Sequence, residues 1–361
     1  MDEHESVQAQ GLSLGRQGCD KIRQSGYPGV MRYWWVNQNQ TYRHEIAGGY
    51  LWSPKRHSNG RRNPFYEFMR EVAPGDIVFS FRNTLIPAIG IVSGYCRESP
   101  KPTEFGNAGT NWSQIGWKVD VRWRELQHQV RPKAHLLMLQ SEVGALYSPL
   151  SANGNGKQAV YLTAVRPTLA ALLFSLIGTE TNQMRDTAEA VSHVERSTPA
   201  PEKDIEEWEK RVEIQITQDT QLTDTDRQAL VMARRGQGQF RSNVRGIEKA
   251  CRITKVERAE HLVASHMQPW RDSSHDQRLD GENGLMITPT VDHLFDKGFI
   301  SFEDTGRLIV SPVADKSSLE KIGISCSTPV SVGGFSEGQR RYLGYHRDNV
   351  LRMANTSQQK S

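Results

Sequence analysis

The chain has 361 residues, with 45 basic and 41 acidic side chains and a formal charge of +4. That length accommodates two domains of ordinary size, while so mild a charge gives no sign of nucleic acid by itself. There is no run of about 18 apolar residues to span a membrane, and the polar start MDEHESVQAQ does not read as a signal peptide. Cys19, Cys96, Cys251 and Cys326 form no CxxC pair, which argues against a zinc knuckle and for reduced thiols in a soluble, cytoplasmic protein.

Residues 1–28 are polar and Gly-rich, the composition of a flexible arm. Short aromatic and β-branched runs follow, and MRYWWVNQN, GDIVFSF, AIGIVSGYC and WKVDVRW each read as a strand. Since Trp34 and Trp35 alternate on one strand, one of them belongs to a core. Between the strands, NPFYEFMREV reads as a helix stopped at Pro74-Gly75. PTLAALLFSLIG reads as a buried helix from Pro167 to Gly178. A first domain over 29–178 follows. Residues 179–202 are polar around Ser-Thr-Pro-Ala-Pro, as in a flexible linker. From 203 to 361 we expect a helical connector with helices near Ile205–Val212 and Thr223–Arg235, then a catalytic domain. A helix after Gly238 would carry Arg241, Arg245 and Lys249 at i, i+4 spacing, a stripe suited to phosphates or to plain solvation.

The segment CRITKVERAEHLVASHMQPWRDSSHDQRLDGENGLMITPTVDHLFDKGFISFEDTGRLIVSP orders its polar residues for phosphodiester chemistry. Asn283 follows His266 by 17 positions, and Asp292 comes 9 further on. Cutting a phosphodiester wants a base for the attacking water and a divalent cation for the developing charge. An imidazole suits the first task and carboxylates beside a hard cation suit the second. With its SHMQPW and Asn-Gly-Leu motifs, the segment resembles the HNH endonucleases, from Arg234 to about Pro312. The resemblance implies a ββα-metal fold with His266 as general base, Asn283 pinning the loop between the strands, and one Mg²⁺ or Mn²⁺ per site. Its metal ligands would be Asp292, with Asp296 or His293. Many relatives carry a further ligand just before the base, where this chain has Ser265.

Tyr33-Trp34-Trp35-Val36-Asn37, Tyr50-Leu51-Trp52-Ser53-Pro54 and Gly75-Asp76-Ile77-Val78-Phe79-Ser80-Phe81 together resemble the EVE domain, a PUA-like fold related to the YTH readers of methylated RNA. This likeness runs from about Met31 to Gly178. It implies an aromatic cage for an extruded base, whose stacking offsets the few kcal/mol of unstacking. By position Trp52 is a cage wall, Ser53 an adjacent contact, Trp112 the opposite wall, Asn37 and Asn39 base-edge partners, and Phe81 part of the mouth. The run KRHSNGRR, with Lys55, Arg56 and Arg61, would grip flanking phosphates or be a plain exposed loop.

The expected fold class is therefore α+β: a curved PUA-like (EVE) sheet or barrel with helices, a helical linker, and a C-terminal ββα-metal HNH domain. The pairing implies a type IV, modification-dependent restriction endonuclease acting on double-stranded DNA that contains 5-methylcytosine or 5-hydroxymethylcytosine. Double-strand cleavage by a site that cuts one strand would call for two protomers or two bound copies, so a homodimer is an expected partner state. Two other readings stay open: an unspecific nicking or repair nuclease with an N-terminal clamp, and a non-catalytic reader whose HNH fold only binds backbone.

Overall fold

The computed structural model describes residues 31–57, 59–110, 112–144, 146–157, 159–196 and 238–354. The expected N-terminal arm over 1–28 and the connector helices between Glu202 and Arg235 lie outside the described residues. Among the described residues no helix is long and apolar enough to cross a membrane. Cys96, Cys251 and Cys326 are buried free thiols.

In the first domain the elements are β1 (Tyr33–Asn37), α1 (Tyr42–Gly48), β2 (Tyr50–Pro54), α2 (Pro64–Glu67), β3 (Ile77–Arg82), β4 (Leu85–Val92), β5 (Arg97–Pro100), β6 (Ile115–Val130), α3 (Leu136–Leu139), β7 (Leu162–Val165) and α4 (Pro167–Ile177). They build a curved sheet in the order β2-β6-β4-β3-β1-β7, with β5 also paired to β6. β1 runs parallel to β3, whereas the other neighbours are antiparallel. The 16-residue β6 curls the sheet: Lys118 sits between Trp52 and Arg97, while Val121–Val130 turns to β4.

Both faces of this sheet are covered, so alternation along a strand selects between two cores. Trp35, Ile77 and Phe79 point to one core, with Leu169, Leu173 and Phe174 of α4. Trp34, Val36 and Val78 point to the other, with Phe68 and Met69 of the 3-10 turn that extends α2. Trp34 and Trp35 are thus both fully buried. Trp34 can be so because its indole N–H donates to Asp76 at 2.9 Å.

The expected flexible linker is corrected over its described part. A 3-10 turn (Thr179–Thr181) leads into α5 (Asn182–Arg196). Met184 and Ala188, one helical turn apart, bury in the α4 core, and the Glu180 carboxylate accepts from the amides of Gln127 and His128. These contacts, with Arg185 over the Phe174 ring at 5.1 Å, hold a segment whose overall composition is polar.

The second domain comprises α6 (Gln239–Ile247), β8 (Val263–His266), α7 (His275–Leu279), β9 (Gly284–Ile287), α8 (Pro289–Asp296), β10 (Ile300–Phe302), β11 (Leu308–Val310), α9 (Lys316–Lys321) and α10 (Glu337–Asn349). β8 and β9 form an antiparallel hairpin that pairs His266 with Gly284. One core collects Phe240 and Val244 of α6, Leu285 and Ile287 of β9, Val291 and Phe295 of α8, and Tyr342 and Leu343 of α10. Gly284 is required by that packing, because a Cβ there would lie 2.2 Å from Val244 Cγ2 and 2.9 Å from Phe240 Cζ. This explains the glycine of the Asn-Gly-Leu motif.

The two domains dock through buried charges. Arg307 is 2 % exposed, bridges Glu71 at 2.6 Å and Glu303 at 2.7 Å, and lies over the Phe68 ring at 4.1 Å. Arg70 donates to the Arg347 carbonyl at 2.5 Å, Arg62 pairs with Asp348 at 2.5 Å, and Tyr147 donates to Glu303 at 3.2 Å. The polar 179–202 composition had left the spacing between domains open. These contacts set it.

Candidate nuclease centre and base pocket

His266 ends β8 with its ring flat on Phe240, the centroids 3.6 Å apart and the planes within 4°. Its Nε2 lies 3.0 Å from the Arg278 carbonyl oxygen. A carbonyl only accepts, so Nε2 carries the proton and Nδ1 keeps its lone pair. Burial pushes the imidazole pKa down to about 4, with the Arg278 carbonyl working the other way. The ring is accordingly neutral near pH 7, the state a general base needs.

Asn283 is fully buried and spends its amide on the loop between the strands. Its Oδ1 accepts from the Gln268 amide at 2.8 Å, and its Nδ2 donates to the carbonyls of Gln277 at 2.9 Å and Gln268 at 3.2 Å. The loop that carries Arg278, the anchor of His266, is thereby tied to the end of β8. Asp280 caps the following turn, accepting from the Glu282 amide at 2.9 Å, and also accepts from Tyr342 at 2.7 Å. Glu282 accepts from Ser336 and from the Gln339 amide. Residues of α10 and its N-cap therefore brace the nuclease loop. Arg278 turns inward over Trp270 at 3.8 Å.

Asp292, in α8, is half-buried, and its carboxyl pKa is raised by burial, with the Asp296 charge adding to the rise. The neighbouring Ser265 hydroxyl opposes the shift. The residue that departs from the common family pattern thus meets the expected ligand. Asp296 is exposed and pairs with Lys297 at 3.4 Å, and His293 is exposed. Among the described residues no three His, Cys, Asp or Glu side chains gather where they would hold a metal ion. One half-buried carboxylate near a second charge, with a hydroxyl beside it, fits a hard cation that keeps most of its waters and takes substrate phosphate. It does not fit a four-ligand structural zinc.

In the first domain a cavity of about 710 Å³ is lined by Trp52, Trp112, Phe81, Tyr66, Tyr161, Asn37 and Asn39, among others. Trp52 and Trp112 face each other at 6.1 Å with a 29° tilt, and Phe105 packs edge-on to both. Five of the six pocket residues expected from sequence come together here. Ser53 does not line the cavity: neighbours on a strand point to opposite faces, and Ser53 is fully buried on the other one. Asn37 reaches the cavity but holds its own walls, accepting from Trp35 Nε1 and donating to the Lys157 and Val160 carbonyls. Asn39 accepts from the Asn83 amide at 3.0 Å.

Tyr66 and Tyr161 were missed, since neither stands in a motif. Behind the cavity the buried Glu45 carboxyl, its pKa raised by burial, accepts from Tyr161 Oη at 2.5 Å, the Trp52 amide at 2.8 Å, Thr41 at 2.8 Å and Gln38 at 2.7 Å. It joins three walls of the pocket.

The expected basic contacts divide. The stripe of Arg241, Arg245 and Lys249 is corrected. Arg241 donates to the Leu262 and Ala259 carbonyls, and Lys249 lies beyond the end of α6 with Nζ on the Arg245 carbonyl. Arg245 alone is exposed on that helix without such a bond. Lys55 is paired with Glu98. Arg56 and Arg61 remain exposed.

Residues 251–303 match the family model described as HNH endonuclease. No curated protein matches the chain. Among solved structures, the Pho92 YTH domain in complex with m6A shares 10 % identity at a TM-score of 0.29, covering 41 % of this chain and 87 % of that one. The YTH domain of the Zygosaccharomyces rouxii MRB1 protein, in complex with N6-methyladenosine RNA, shares 14 % at 0.28 over 41 % and 86 %. Protein Atu2648 of Agrobacterium tumefaciens shares 15 % at 0.24 over 41 % and 93 %. The match at 251–303 contains the β8–β9 hairpin and α8 and makes this segment an HNH endonuclease domain, joined in one chain to a curved-sheet domain with YTH-domain structural neighbours.

Proposed function

We propose that this chain is a modification-dependent DNA endonuclease of the type IV restriction class. A modified cytosine, 5-methylcytosine or 5-hydroxymethylcytosine, leaves the duplex and enters the aromatic cavity, and the HNH site hydrolyses a phosphodiester nearby. The observation that carries this reading is an aromatic-lined cavity, large enough to admit a nucleobase, in a domain docked onto an HNH domain of the same chain. A cage around the whole base is the arrangement that senses a single methyl group best, and stacking on its walls contributes about 1–3 kcal/mol per base.

At the nuclease site, the Nδ1 lone pair of His266 takes a proton from the water that attacks the scissile phosphorus. The Arg278 carbonyl and the Phe240 ring hold the imidazole in that tautomer and orientation. Asn283 keeps the loop, and with it Arg278, in place. Asp292 and Ser265 would hold one Mg²⁺ or Mn²⁺, with Asp296 or His293 as further donors; such an ion supplies charge to the phosphate and leaving oxygen. As a one-strand cutter the site would make double-strand breaks only through two protomers or two bound copies.

Matched plasmids carrying cytosine, 5-methylcytosine or 5-hydroxymethylcytosine, digested with Mg²⁺ or Mn²⁺, test the reading. Cutting confined to modified plasmids is expected. Equal cutting of all three would defeat it in favour of an unspecific nuclease, and tight binding without cutting would leave a reader with an inert HNH fold. Trp52→Ala should remove the discrimination while residual cutting survives.

A further inference from the structure

Between the domains lies a second, larger hollow of about 840 Å³. One wall is the 56–62 loop with Arg56 and Arg61, the other is α10 with Arg340 and Arg341, and Gln268 and Gln277 of the nuclease loop complete the lining. Two further arginines there are neutralised, Arg62 by Asp348 at 2.5 Å and Arg347 by Asp304 at 2.7 Å. The other four are exposed. Among the described residues they meet neutral groups: Arg56 donates to the Gly60 carbonyl, Arg340 to the Phe335 carbonyl, and Arg341 lies 5.0 Å over Tyr342. Four guanidiniums without a carboxylate partner among the described residues, facing one another across a concave cleft, focus a positive field.

The position of the groove is as telling as its charge. Its first wall doubles as the rim of the aromatic cavity, which His57 of the same loop lines beside Tyr66, the rings 5.4 Å apart. At the other end, Gln268 and Gln277 are the residues clamped by Asn283, and the next residue, Arg278, anchors His266. We infer that this groove holds the phosphodiester backbone of the strand whose base occupies the cavity, with Arg340 and Arg341 as backbone contacts. The inference rests on the function proposed above. The groove leads that strand from the base pocket to the nuclease loop, and the docking through Arg307 sets the spacing between the recognised base and the cut.

The test uses the full chain bearing His266→Ala, so that complexes persist, and fluorescein-labelled duplexes with and without 5-methylcytosine, titrated over a range of salt. Arg340→Ala with Arg341→Ala should weaken binding of both duplexes by similar factors. It should also lower the slope of log affinity against log salt by about 1.8, since each lost phosphate contact removes about 0.9. Arg341→Ala alone avoids the Phe335 contact and should lower the slope by about half as much. Arg56→Ala with Arg61→Ala should act alike from the opposite wall, each variant's folding being checked by thermal melting. Unchanged slopes in folded variants of a parent that binds DNA overturn the groove and leave the proposed function standing. A parent that binds neither duplex overturns both.

Discussion

Replacing Arg307 with Ala should loosen the joint between the two domains. The guanidinium lies within 2.6 Å of Glu71 and 2.7 Å of Glu303, and both carboxylates are buried, at 1 % and 7 % exposure. Removing one partner of a buried ion pair costs about 3–5 kcal/mol, because the remaining charge keeps its desolvation penalty without compensation. Loss of the cation–π contact with Phe68 adds about 1–2 kcal/mol. Against this, Glu71 keeps Arg32 at 3.4 Å, so a loss of about 3–4 kcal/mol is the reasoned value. Urea unfolding should be followed by tryptophan fluorescence and by far-ultraviolet circular dichroism. The parent should show coincident transitions, and the variant an earlier transition that separates into two as the domains uncouple. A shift worth less than about 1 kcal/mol, with coincident curves, would refute the argument that these charges join the domains. Combining Arg307→Met with Glu71→Gln and Glu303→Gln should recover most of the loss, since a neutral joint has no stranded charge.

Other perturbations test neighbouring steps. His266→Ala should slow single-turnover cleavage by about 10²–10⁴-fold, the usual range for a general base, with the fold intact; cleavage at the parent's rate would remove His266 from that role. Gly284→Ala should destabilise the nuclease domain by about 1–3 kcal/mol through overpacking against Val244 and Phe240, read from its urea midpoint. His346 is buried between Ser301 and the Phe295 carbonyl, stacked on the Phe295 ring, and burial pushes its pKa down to about 3. Between that value and the unfolded value near 6.5 the unfolded chain binds a proton that the folded chain does not. Stability should therefore fall as pH drops through this window, by about 1.4 kcal/mol per unit for this group. Urea midpoints at stepped pH should show a shallower acid slope in His346→Gln.

Legibility in the sequence followed the range of the interaction involved. β1, β3, β4 and β6 were visible because alternation and turn residues act over a few positions, and α4 because Pro167 and Gly178 bracket an apolar run. α5 was not, since its apolar anchors are few, Met184 and Ala188 in the α4 core with Arg185 over Phe174, and its remaining composition is that of a linker. Arg241 read as a phosphate contact because its spacing is helical, yet two carbonyls from a segment about twenty residues away claim its donors. Ser53 read as a pocket residue through its neighbour Trp52, although strand geometry sends adjacent side chains to opposite faces.

By itself the sequence determined the local pattern of the candidate nuclease centre: His266, Asn283 and Asp292 stand in that order on a hairpin and helix, and local patterns survive without knowledge of the fold. The tautomer of His266, the meeting of Ser265 with Asp292, and the assembly of Trp52, Trp112, Tyr66 and Tyr161 into one cavity were decided by tertiary structure alone. So was the docking of the two domains around Arg307. Each of these depends on groups far apart in the chain, held together by packing and buried hydrogen bonds whose partners no spacing rule connects.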